Sequence, residues 1–119
     1  MLVSQILKSK AMDGVLTLRS AQPVTDAISL MSEKRIGTVV VSDDGGATAV
    51  GILSERDIVR ELGRRGSGCL TGVIGDMMTS KLVTCAGGDT SDDVLSKMTE
   101  GRFRHMPVLD GGKLVGLIS

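Results

Sequence analysis

The chain has 119 residues and 12.4 kDa, 41% hydrophobic and 24% charged, with 14 basic side chains set against 14 acidic ones. That is one ordinary domain or two very small ones sharing a core; near-average composition argues against a disordered, collagen-like or coiled-coil chain, and zero net charge against a nucleic-acid binder relying on bulk attraction to phosphate. The only aromatic residue is Phe103, which argues against a base-stacking platform and leaves an aliphatic core of Val, Ile, Leu and seven Met.

In chain order, Val3 to Lys8 predicts a short helix, and Met1 to Lys10 holds no apolar run of signal-peptide length. Pro23 suits a helix start, and Val24, Ala27, Ile28 and Met31 at i, i+3, i+4, i+7 give the helix one apolar face. Thr38 to Val41 is β-rich, Asp43-Asp44-Gly45-Gly46 supplies a turn, and Ala49 to Leu53 returns as an apolar strand expected to be buried on both faces. Glu55 to Arg65 reads as a helix with Ile58, Val59 and Leu62 inward, Arg56, Arg60, Arg64 and Arg65 largely outward, and Gly63 or Gly66 ending it. Residues 66–72 read as a flexible connector and Val73 to Met78 as a short apolar helix.

The second half repeats the first. A shift of 67 residues (84 − 17) lays Val15 to Gly45 over Leu82 to Gly112, with identities at Thr17/Thr84, Asp26/Asp93, Ser29/Ser96, Met31/Met98, Glu33/Glu100, Arg35/Arg102, Val41/Val108, Asp43/Asp110 and Gly45/Gly112. Val50 to Ser54 then lies over Val115 to Ser119. Thr90-Ser91-Asp92-Asp93 resembles a capping box with Asp in place of Glu, and Val94, Leu95 and Met98 share a helix face. His105 to Leu109, a turn at 110–112 and Leu114 to Ile118 complete the copy. The division expected is 1–68 for the first repeat with its leading helix and 69–119 for the second; one copy alone has too little core to stand by itself.

The repeat resembles a tandem pair of CBS domains, a Bateman module. The resemblance rests on Thr17 and Thr84, on Leu30-Met31-Ser32-Glu33 and Lys97-Met98-Thr99-Glu100, on the Arg-Phe-Arg-His-Met-Pro-Val run at 102–108, and on Gly51 to Asp57. It implies an α/β (α+β) fold of two pseudo-twofold-related β-α-β-β-α repeats packed through their sheets, with clefts that hold adenosine nucleotides. It further implies a regulatory role without catalysis, and side-by-side homodimers formed through helical faces. The first copy runs on from Ser54 to Asp57 and into a helix, whereas the second reaches Ser119 without the equivalent Asp or closing helix; the loss of a covering helix exposes apolar area, and the expectation is a trimmed chain, a disordered remainder left out of it, or a partner segment that covers the exposed face.

Ser54 and Asp57 have two readings. Ser-Glu-Arg-Asp is a serviceable helix start, with Ser54 as N-cap and Asp57 at the third position. The resemblance makes the same pair ligands, Asp57 accepting from ribose hydroxyls and Ser54 helping to hold a phosphate at the helix N-terminus. The implied ligand set also contains Thr17, Leu18, Gly37, Thr38, Arg56, Thr84, Arg104, His105, Met106, Pro107 and Ser119. Arg56 and Arg104 suit phosphate through their planar donor forks, although Arg56 reads equally as a solvated surface charge, Thr17 and Thr84 as turn threonines, and His105 as a strand-end histidine. Gly37 and Thr38, standing where the second copy has Arg104 and His105, make that end small and neutral. Pro107 also reads as a strand-edge proline.

Cys69 and Cys85 form no CxxC pair and with one His make no zinc site; Cys85 reads as a small buried residue. The glycines at 63–68 follow a helix and not a strand, the wrong context for a dinucleotide fingerprint. The function expected is a cytoplasmic, non-enzymatic sensor of an adenosine nucleotide, AMP most simply, with ADP, ATP, NAD or S-adenosylmethionine as other ligands. It would have no prosthetic group, form a homodimer, act on a regulated protein partner, and bind neither nucleic acid nor membrane. The alternative is a ligand-independent interaction or assembly module.

Overall fold

The computed structural model describes residues 1–9 and 15–118. Its elements in chain order are α1 (Val3–Ser9), β1 (Thr17–Leu18), α2 (Val24–Lys34), β2 (Thr38–Val41), β3 (Gly51–Ser54), α3 (Glu55–Arg65), a 3-10 helix (Gly66–Thr71), α4 (Ile74–Met77), β4 (Cys85–Ala86), α5 (Ser91–Gly101), β5 (Met106–Asp110) and β6 (Lys113–Ile118). They form two compact units, Leu16–Lys81 and Met1–Val15 with Leu82–Ser119. Each unit has a three-stranded sheet, β1-β2-β3 in one and β4-β5-β6 in the other, with the first pair parallel and the second antiparallel.

The division by packing differs from the division by repeat. α1 leads the first repeat in sequence but packs with the second, and α4 leads the second but packs with the first. The docking bonds are equivalent in the two units. Ile74 N–H donates to the Gln22 carbonyl (2.9 Å) and Gly75 N–H to that of Ser20 (2.8 Å), as Val3 donates to Asp89 (2.8 Å) and Ser4 to Gly87 (3.0 Å). The first helical N–H groups, which lack partners within their own helices, are satisfied the same way, Val24 donating to Gly72 (3.0 Å) and Ser91 to Met1 (2.8 Å). Two glycines at matching positions make room. A Cβ on Gly116 would stand 2.6 Å from the Leu7 side chain, and one on Gly51 would stand 2.5 Å from the Met78 sulfur and 3.1 Å from the Thr79 carbonyl oxygen.

The core of the Leu16–Lys81 unit joins Val24, Ala27 and Met31 of α2 to Val39, Val41, Leu53, Ile58, Ile74 and Met77. That of the other unit joins Val3 to Cys85, Val94, Met106, Val108 and Ile118, with Phe103 folded back over Gly101 at its margin. The middle strand β2 is buried along its whole length, while the return strands β3 and β6 alternate. The expected two-sided burial thus belongs to β2, because β3 and β6 are edge strands. Pro107 likewise lies in the middle strand, not at an edge. The pair equivalent to Thr17↔Val40 would be Thr84↔Pro107 and is absent from the ladder, since proline has no N–H to offer.

Two local expectations change. The connector at 66–72 is a 3-10 helix whose Cys69 is buried in the core beside α2 and α3. On α3 only Ile58 of the three apolar residues is buried. Val59 is 67% exposed and Leu62 36%, because Val59 stands a full 100° step from Ile58 and the inward stripe is completed by the polar Asp57 and Glu61. Glu61 accepts from Arg65 Nε at 2.8 Å and faces Arg64 at 3.5 Å.

Candidate functional site

The polar residues singled out by sequence fall into two sets, one in each unit. In the Leu16–Lys81 unit, β2 and β3 pair so that Thr38 stands opposite Ser54, and Ser54 opens directly into α3. Ser54 has extended backbone, leaves its side chain free to turn back on the helix, and caps it. Its hydroxyl accepts from Asp57 N–H (3.2 Å), and Asp57 Oδ2 accepts from Ser54 N–H (3.0 Å) and from the Ser54 hydroxyl (3.1 Å). This is the capping box, with Asp as the third-position acid.

Asp57 does more than cap. Its residue is 4% exposed, and Oδ1 accepts from Arg60 Nη2 at 2.9 Å and from the Thr79 hydroxyl at 3.2 Å. Thr79, just after α4, arrives by an isolated antiparallel bridge in which Ile52 N–H donates to its carbonyl (2.9 Å) and its own N–H donates to Ile52 (2.8 Å). The absence of a side chain at Gly51 allows that approach. Sequence reasoning missed Thr79 and Arg60. The i, i+3 spacing of Asp57 and Arg60 was available as a signal, whereas nothing local announces a threonine 22 residues away.

Around this carboxylate the mouth of α3 is mixed in charge. Arg56 is exposed and lines an open groove with Glu55, Val59 and Arg60. Gly37 gives its carbonyl to Glu55 N–H (2.9 Å), and the Glu55 carboxylate lies over it, 3.2 Å from where a Cβ would be. The end expected to be small and neutral is small because an acid rests on it. Thr17 and Leu18 are half-buried on β1, and Thr38 is buried.

The second set belongs to the other unit. Thr84 is half-buried just before β4, Arg104 is exposed, and His105 is half-buried before β5. Met106 and Pro107 are fully buried. Ser119 lies outside the described residues. Cys85 is buried, its Sγ 3.8 Å from the Pro107 carbonyl, and burial, aided by the charge of Asp89, holds its thiol above the usual pKa and so protonated. Among the described residues no helix is long and apolar enough to cross a membrane.

Two sheets of one topology, each with a leading helix and a covering helix, define a duplicated module, and the chain belongs to the CBS domain family: that family's model matches residues 3–64 and again 74–119. The chain is 32% identical over 123 residues to the mitochondrial CBS domain-containing protein CBSX3 of Arabidopsis thaliana, covering 98% of this chain and 60% of that protein. It spans only 21% of a second plant relative, CBS domain-containing protein CBSCBSPB2, at 26% identity over 94% of its own length. Among solved structures, a CBS-domain containing protein from Agrobacterium tumefaciens superimposes with a TM-score of 0.93 at 35% identity, covering 100% of this chain and 93% of that one. One with CBS domains from Burkholderia ambifaria gives 0.89 at 41% identity, covering 100% and 88%. The same fold recurs at 24% identity in a CBS domain protein from Pyrobaculum aerophilum complexed with AMP (TM-score 0.86), and at 23% in a CBS domain pair in complex with 5′-methylthioadenosine and S-adenosylmethionine (TM-score 0.84).

Proposed function

We propose that the chain is a regulatory module that binds an adenosine nucleotide, AMP most simply, with Asp57 as the acceptor for the ribose hydroxyls. The observation that carries the reading is a carboxylate held 4% exposed at the start of an 11-residue helix, at the position where CBS resemblance expects the ribose ligand. Relatives of the same fold that hold AMP or S-adenosylmethionine support the ligand class. Arg56, beside Asp57 at the start of α3, is assigned to phosphate on chemical grounds, and Arg104 and His105 are the phosphate candidates of the other unit. Binding acts by population shift, so the ligand works only through a difference in affinity between two conformations. The module has no catalytic role and no prosthetic group in this reading. A homodimer through helix faces is part of this reading, as the CBS resemblance implies. A cytoplasmic setting fits two free, buried thiols.

A second reading, a ligand-independent interaction module, is favoured by one observation: both Asp57 oxygens already have donors from the chain itself. Calorimetric titration of the full chain with AMP, ADP, ATP, NAD and S-adenosylmethionine separates the two. Binding that Asp57→Ala largely abolishes supports the sensor. No binding by any of the five leaves the interaction module, in which Asp57→Ala only lowers stability, by about 2 kcal/mol or more, since it orphans the donors of a buried carboxylate.

A further inference from the structure

We infer that the Asp57 carboxylate is latched by the Thr79 hydroxyl and the Arg60 guanidinium, and that a ribose gains this carboxylate only by displacing them. The inference rests on the nucleotide-binding reading above. An ionised carboxylate offers about four lone-pair positions, and the four donors on Asp57 are Ser54 N–H and hydroxyl on Oδ2 and Arg60 and Thr79 on Oδ1. A pair of vicinal hydroxyls therefore finds the acceptor taken.

The two oxygens differ in how readily they are given up. Oδ2 belongs to the capping box, so vacating it leaves the Ser54 N–H without its acceptor and breaks the reciprocal half of the box. Oδ1 does not serve the helix end. Arg60 is 52% exposed, so its guanidinium exchanges a carboxylate for water at small expense. Thr79 is exposed as a residue, and its hydroxyl bond is 3.2 Å long. Oδ1 is thus the oxygen a ligand reaches first.

Releasing Thr79 has a consequence beyond the carboxylate. The segment after α4 lies on the edge of β3 with Met78 packed over Gly51, and its polar hold there is the two-bond bridge of Ile52 with Thr79 together with this hydroxyl. A ribose on Oδ1 removes the side-chain half of that hold, on the stretch of chain that runs from α4 into the second repeat. By linkage, whatever loosens Thr79 must raise nucleotide affinity, and nucleotide must loosen Thr79 to the same degree.

The test is AMP titration into the full chain and its variants Thr79→Val, Thr79→Ser, Arg60→Gln and Asp57→Asn, with amide hydrogen exchange at Ile52 and Thr79. A latch predicts that Thr79→Val binds AMP about fivefold more tightly, the equivalent of one net hydrogen bond. Arg60→Gln should bind about twofold more tightly, Thr79→Ser like the parent, and Asp57→Asn hardly at all. AMP should also speed exchange at Ile52 and Thr79 in the parent chain. A direct ligand contact would weaken binding in Thr79→Val. Equal or weaker binding in both Thr79→Val and Arg60→Gln, beside a parent that binds and an Asp57→Asn that does not, overturns the latch and leaves the nucleotide site standing. If neither the parent nor the Thr79 and Arg60 variants bind AMP, ADP, ATP or S-adenosylmethionine, the site itself is lost and the latch with it; binding that emerges only in those variants supports the latch.

Discussion

The two units solve one architectural problem with different residues. Where a leading helix meets the loop after the first strand, the Leu16–Lys81 unit sets Gly75 against Ser20 and the other sets Ser4 against Gly87, so the glycine stands on opposite sides of equivalent contacts. The backbone approach needs one small partner and is indifferent to which. Polar chemistry is distributed less evenly. α5 is capped by Thr90 with Asp93, whereas α2 begins at Pro23 with no side-chain cap. Both hairpin turns place two glycines at positive φ, Gly45 and Gly46 in the first and Gly111 and Gly112 in the second, but the first is also tied by Asp43 to Ser20 (2.8 Å) and by Asp44 to Ser42 and Thr48 (2.8 and 2.6 Å). Backbone docking therefore carries the duplicated fold, and side-chain networks distinguish the units, the densest of them at Asp57.

Breaking the shared docking should have the largest effect. Gly51→Ala places a methyl group against the Met78 side chain and, behind it, the Thr79 carbonyl, a backbone atom that cannot turn away, and should cost about 2–3 kcal/mol in urea unfolding, whereas Gly116→Ala meets only the Leu7 side chain, which can turn away, and should cost about 1 kcal/mol. Equal losses would mean that the two units yield alike. The caps come next. Ser54→Ala strips a buried carboxylate of a donor as well as the helix of its cap and should cost about 2 kcal/mol, against about 1 kcal/mol for Thr90→Ala at an exposed cap.

A smaller effect should be equal in both units. Arg35 and Arg102 end α2 and α5 with φ of 55° and 56°, and glycine at either position should raise the melting temperature through a gain of about 0.5–1 kcal/mol. The last effect reads the first turn by pH. Hydrogen bonds from Thr48 first, then Ser42, pull the Asp44 carboxyl down to about 2. A depressed folded pKa means that this contribution is complete above the unfolded value of 3.8 and is lost as pH falls toward 2. Asp44→Asn should flatten that part of the acid unfolding curve.

Local signals were legible in proportion to how local their causes are. Glu55 and Arg65 bound α3 as composition and Gly66 imply, and the capping pairs Ser54/Asp57 and Thr90/Asp93 form at the spacing that makes them readable. The 3-10 helix at Gly66–Thr71 was not legible, because a glycine-rich stretch reads as connector until Cys69 is given a core to enter. Val59 misled because an apolar residue on an amphipathic helix is read inward, while the stripe that faces in contains Asp57 and Glu61.

The sequence by itself determined the duplication, the order of elements in each copy, both capping boxes and the family, since each depends on residues a few positions apart or on one repeat laid over another. Tertiary structure alone decided that α1 and α4 change places between the repeats, that Gly51 and Gly116 exist to admit them, and that Thr79 reaches Asp57. Those outcomes depend on contacts between residues far apart in the chain, where no periodicity links the partners and packing selects the pairing.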